Sequence, residues 1–127
     1  MKPTYHIVMP VGIRPAIADV SEIGTSLYLV NRINVPEDFR GQGYGKKLLE
    51  AITKDADLED VVLMLEVHAS DSRDIMNNDE LIAWYRRHGF KMVSYLNRLM
   101  ERLPNGKHKE FDYHMSVQSW PLLDDDE

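Results

Sequence analysis

Apolar and polar residues alternate from Ser26 to Val35 (SLYLVNRINV), which predicts a strand with Leu27, Leu29, Ile33 and Val35 on one face and Tyr28, Val30, Arg32 and Asn34 on the other. Asn31 breaks the apolar series, and Pro36 ends the strand. Tyr5 to Val11 (YHIVMPV) reads as a shorter strand. Val61 to Val67 is a continuous apolar run of strand length, the pattern of a strand covered on both faces. Leu48, Leu49 and Ile52 recur at helical spacing, with Lys46, Lys47, Glu50 and Lys54 on the far side. A second helix is predicted from Asn78 to His88, with asparagine at its start and Gly89 just past its end. Phe90 to Leu96 and Phe111 to Val117 read as two closing strands, joined through the turn signal Pro104-Asn105-Gly106. Strands and helices in this order predict a mixed α/β domain, one sheet with helices packed on it.

Composition narrows the class. The 127 residues, 43% of them hydrophobic, suffice for one core, so residues 1–127 are read as a single domain. Four of the six net negative charges come from Asp124 to Glu127, which leaves the body close to neutral and makes residues 118–127 an acidic tail. The sequence has no strong lysine–arginine patch, which argues against nucleic acid as a partner. No apolar run reaches bilayer length, and the first residues (MKPTYHIVMP) lack a signal-peptide pattern. With no cysteine there is neither a disulfide nor a thiolate nucleophile, and a cytoplasmic protein is expected. The histidines show no metal-ligand spacing, so no metal is expected.

One stretch carries chemistry. Gly41, Gly43 and Gly45 alternate with Gln42 and Tyr44 between the predicted strand and the first helix. A phosphate-binding P-loop requires glycine where Arg40 stands, and a dinucleotide fingerprint requires glycine where Lys46 stands. Two readings remain. The loop is a turn whose glycines serve backbone conformation alone, or its amides and the helix dipole form a receptor for an anion such as a pyrophosphate.

Arg40-Gly41-Gln42-Gly43-Tyr44-Gly45 resembles the acetyl-CoA signature of the GCN5-related N-acetyltransferases (GNAT). Asn78, Leu81, Trp84, Tyr85, Gly89 and Phe90 are similar to the second motif of that family, and the likeness extends over residues 26 to 117. Leu65-Glu66-Val67-His68 resembles, more narrowly, the enzymes that acetylate the N-terminal amine of a ribosomal protein. The resemblance implies a GNAT-type single mixed sheet with flanking helices, abbreviated at the N-terminus. Members have a strand and two helices before the segment matching Ser26 to Val35, and 25 residues are too few for them. Residues Asp71 to Met76 are extra relative to the family.

The implied activity is acetyl transfer from acetyl-CoA to a primary amine by direct attack in a ternary complex. The resemblance assigns cofactor binding to Ile33, Asn34, Val35, Arg40, Gly41, Gln42, Gly43, Tyr44, Gly45, Lys46, Asn78 and Tyr85, with an amide near Val35 as oxyanion donor. It makes Tyr85 the acid for the departing thiolate, although Tyr85 also fits a core position with a wet tip. Asn78 is equally read as a helix cap. Glu66, which burial in an apolar strand would tune, and His68 are alternative bases for the amine. The competing reading is a non-catalytic acyl-CoA-binding or interaction module on the same fold. The abbreviated N-terminus implies a homodimer, with Leu96-Leu99-Met100-Leu103 and Trp120-Leu122-Leu123 as contacts, or else a monomer with an open groove.

Overall fold

The computed structural model describes residues 1–68 and 76–106. They form β1 (Thr4–Ile7), β2 (Ala16–Gly24), β3 (Leu27–Asn34), α1 (Tyr44–Glu59), β4 (Val62–Glu66), α2 (Asn78–Arg86), β5 (Lys91–Ser94) and β6 (Leu99–Arg102). The strands make one mixed sheet of order β1-β2-β3-β4-β6-β5. Strands β3 and β4 run parallel, and their other neighbours pair antiparallel.

Three elements differ from the sequence reading. The first strand stops at Ile7, and the chain then turns, with the Ile13 amide donating to the Pro10 carbonyl at 3.0 Å and Gly12 at φ +90. Strand β2 has no counterpart in that reading. Its buried positions are Ala16, Ala18 and Val20, and alanines carry too little apolar signal to mark an alternation. The closing antiparallel pair is β5 with β6, joined by the turn Tyr95 to Arg98, whereas the expected strand Phe111 to Val117 lies outside the described residues.

Both helices cover one face of the sheet. The crossovers β3–α1–β4 and β4–α2–β5 link parallel strands and advance in the same direction, so right-handed connection puts both helices on the same side. The buried positions Ala18, Val30, Leu63, Leu65 and Met100 face them, together with Leu48, Leu49, Ile52 and Ala56 of α1. On the other face Leu27, Leu29, Val62, Met64 and Leu99 form a half-buried apolar strip over which no described helix lies. Met100 is fully buried, so the expected contact Leu96 to Leu103 is not a continuous surface; Leu96 is its strongly exposed member.

Asn31 is an extra residue in β3. Asp19 pairs with Arg32 and Val20 with Val30, so two adjacent residues of β2 span three of β3. This bulge reverses the alternation. Tyr28 and Val30 before it share the core face with Ile33 and Val35 after it, which corrects the grouping of Leu27 and Leu29 with Ile33.

The helix ends follow local chemistry. Asn77, not Asn78, caps α2: its side chain accepts from the Glu80 amide and the Glu80 carboxylate accepts from the Asn77 amide, both at 2.9 Å. Beyond α2, Gly89 turns the chain at φ +95. Arg102 ties three segments together on the helix face. Its Nη1 and Nη2 donate to the Asp57 carboxylate near the end of α1 at 2.9 and 3.1 Å, and its Nε donates to the His88 carbonyl at 2.9 Å. The Asn105 amide completes the cluster by donating to Asp57 at 2.6 Å.

Hydrogen bonds from Arg102 hold the Asp57 carboxyl below its ordinary range. A depressed carboxylate stabilises the fold fully above about pH 4, and that contribution is lost as the pH falls. Arg102→Met is therefore expected to cost ~1–2 kcal/mol at pH 7, after discounting for partial exposure. Denaturant titrations at pH 7 and pH 3 check this, with the gap between variant and parent narrowing at the lower pH.

Candidate active site

A groove of about 530 Å³ opens where β3 and β4 part. Their ladder runs from Leu27–Val62 to Leu29–Met64 and stops, although β3 continues to Asn34 and β4 to Glu66. Past that point β3 keeps its pairing with β2 through Asp19–Arg32, Ala18–Ile33 and Ile17–Asn34. Among the described residues its edge toward β4 has no ladder partner there, so that stretch of backbone could pair with a ligand.

The glycine loop forms one end of the groove. Gly41 and Gly43 have φ of +78 and +89, a region that side chains disfavour. A Cβ on Gly43 would meet nothing within 4 Å, so the space beside it is open as well. Gly43 is the N-cap of α1, with no side-chain cap and no acidic residue in the first turn, where Lys46 and Lys47 stand. Uncapped amides at the start of a long helix fit an anion. Gly45 differs: its φ is ordinary, and a Cβ there would lie in normal contact with Trp84 at 3.7 Å and Val35 at 4.0 Å. Arg40 braces the loop, its Nε donating to the Val35 carbonyl at 2.8 Å.

On the helix side the wall is α2. Tyr85 lies against Trp84 and Phe90, with ring centroids 5.0 and 5.6 Å away. Burial pushes its phenol up to about 12, so it stays protonated at neutral pH. On the helix-free side the groove meets Arg32, Glu66 and His68. Glu66 ends β4 and is exposed, so the desolvation expected for it inside an apolar strand is not found.

The structure thus brings together on one groove Ile33, Asn34, Val35, Arg40, Gly41, Gly43, Tyr44, Gly45, Lys46, Glu66, His68 and Tyr85. Gln42 is exposed outside that lining, its Nε2 donating to the Asp38 carbonyl at 3.4 Å. Asn78, the first residue of α2, is also outside it. The sequence reading missed Asn31, Arg32, Phe39 and Met76 as lining residues. For Arg32 the signal is its register with Asp19, which exists only once β2 is placed beside β3. Among the described residues no cluster of histidine, aspartate and glutamate could hold a metal ion. No described helix is long and apolar enough to cross a membrane.

The model of the acetyltransferase (GNAT) domain matches residues 6–92, more than half of the chain. The chain belongs to the GNAT acetyltransferase family. No curated protein sequence matches this GNAT chain. Among solved structures it is similar to the ribosomal-protein-S18-alanine N-acetyltransferase from Escherichia coli, at 22% identity and a TM-score of 0.58 over 79% of this chain and 67% of that one. It is also similar to a nourseothricin acetyltransferase, at 24% identity and a TM-score of 0.51 over 69% and 56% of the two chains. An anti-CRISPR protein matches at 18% identity and a TM-score of 0.55 over 79% of this chain and 98% of its own. The match therefore takes in nearly the whole of that shorter chain. At these identities the likeness concerns the fold.

The two kinds of glycine separate experimentally. Gly43→Ala puts a side chain at positive φ and is expected to lower stability by ~1 kcal/mol. Gly45→Ala meets only ordinary contacts and is expected to leave stability unchanged or raise it by up to ~1 kcal/mol. Thermal melts of the two variants, side by side, measure the difference.

Proposed function

We propose that this protein is an acetyl-CoA-dependent N-acetyltransferase acting on a primary amine by direct attack in a ternary complex. The observation that carries the reading is the parting of β3 from β4 beside the uncapped start of α1. An unpaired strand edge and an anion-receptive helix end, adjacent in one groove, suit a long ligand with an amide-bearing arm and a pyrophosphate.

Bound acetyl-CoA would supply the activated acyl carbon. The amides of Gly43 to Lys46 would hold the pyrophosphate, and Ile33 to Val35 would pair with the arm and offer an amide to the acyl oxygen. Glu66 or His68 would take the proton from the incoming amine on the helix-free side. Tyr85 would return a proton to the departing sulfur from the helix side. A phenol at about 12 is a weak acid for a thiolate of ordinary pKa ~8.5, and a departing sulfur held away from water would be raised in the same direction. The N–C bond would form and the C–S bond break, with one proton leaving nitrogen and one reaching sulfur.

Supporting features extend to assembly and location. The helix-free strip of Leu27, Leu29, Val62, Met64 and Leu99 suits a two-fold contact, so we expect a homodimer. A cysteine-free chain is compatible with the cytoplasm, where acetyl-CoA is available. Light scattering at micromolar protein is expected to give twice the 14.7 kDa chain mass, and the chain mass alone rejects the dimer.

Activity is tested with labelled acetyl-CoA and a panel of amines. Gly43→Glu, which sets a negative charge in the anion site, is expected to abolish acetyl-CoA binding by calorimetry while circular dichroism keeps the fold. Tyr85→Phe is expected to slow turnover ~10²–10⁴-fold at little cost in cofactor affinity. Binding of acetyl-CoA without transfer to any amine would leave the non-catalytic acyl-CoA-binding reading in its place.

A further inference from the structure

The helix-free mouth of the groove carries opposite charges on its two lips. Arg32 stands on β3 and Glu66 on β4, both lining the groove at the end where the strands have parted. Thr4, Asp19 and Arg32 are direct partners across β1, β2 and β3, so they form a row on one face of the sheet. The row is hydrogen-bonded along its length. Thr4 Oγ1 donates to Asp19 Oδ1 at 3.3 Å, and Arg32 Nε donates to Asp19 Oδ2 at 2.6 Å. Asp19 thereby occupies Nε and orients the guanidinium. The side chain of Arg32 is still 54% exposed, against 31% for Asp19, so the arginine is the accessible member of the pair. Because Arg32 sits just past the Asn31 bulge, the inserted residue puts it on the helix-free face rather than among the core residues.

We propose that Arg32 is a specificity-determining residue, reading an anionic group on the acceptor while Glu66 faces the acceptor's amine. The acceptor class is then an amine that carries a carboxylate a few bonds away. Two sources share that chemistry: a peptide N-terminus followed by an acidic side chain, and a free α-amino acid. A guanidinium fixed through Nε keeps its Nη donors for a carboxylate, in the planar arrangement that favours two parallel hydrogen bonds. A polyamine or a lysine flanked by basic residues would bring a second cation against Arg32 and be disfavoured. This inference rests on the acetyltransferase reading and refines its acceptor side.

Initial rates of acetylation test it with two matched pairs: C-terminally amidated Ala-Glu and Ala-Gln peptides, and alanine against alaninamide. The parent protein is expected to favour the carboxylate-bearing member of one pair by ~10-fold in kcat/KM, and the pair that responds identifies the source. Arg32→Ala is expected to bring that ratio to about one, Arg32→Glu to reverse it, and Arg32→Lys to retain part of it. Asp19→Asn should lower the ratio as well, since it releases the guanidinium from its orientation. Equal rates within both pairs, or a preference that survives Arg32→Ala, would overturn the role of Arg32 and leave the acetyltransferase reading standing. Acetylation of no amine in either pair or in the wider panel would remove that reading, and the inference with it.

Discussion

A strand in the middle of a sheet normally spends both edges on its neighbours. β3 does so only as far as Leu29, after which β2 is its one ladder partner among the described residues. An unpaired backbone edge costs free energy unless water or a ligand satisfies it, so the fold holds open a strip of polar backbone where it could have closed the sheet. Pairing and contacts around it frame that opening. The Asn31 bulge bends β3 at the point of departure, and β2 holds its far edge in register to Asn34. The start of α1 and the side of α2 lie close at Gly45 and Trp84, where an added Cβ would just reach the indole. At the other end of α1, Arg102 fixes Asp57 and the exit from α2 together, so neither helix can swing without breaking a shared cluster.

The chain from residue to groove was readable where a local rule acts alone. The spacing of Leu48, Leu49 and Ile52 announced α1, and the apolar run before Glu66 announced β4. The glycines raised a choice between backbone conformation and an anion receptor. The structure divides them: Gly41 and Gly43 need positive φ, Gly43 also borders open space, and Gly45 meets neither demand from within the protein.

What stayed hidden depends on pairing between distant segments. Strand β2 buries alanines, whose small side chains fill the space beneath the sheet without marking the sequence. Without β2 there is no register, and without register Asn31 reads as a flaw in an alternation rather than an inserted residue. Arg32 is hidden for the same reason, since its partner Asp19 lies on the unrecognised strand. Asn78 illustrates the opposite error. Adjacent asparagines at a helix start offer the same cap, and only the reciprocal bonds of Asn77 with Glu80 decide between them.

Among the described residues both helices lie on one side of the sheet, and residues from both of its faces line the groove where the strands diverge. If the cofactor and the acceptor enter from opposite faces, as the proposed function has them, each would keep its own route of escape while the other stays bound. A cleft of this kind would impose no fixed order of arrival or departure.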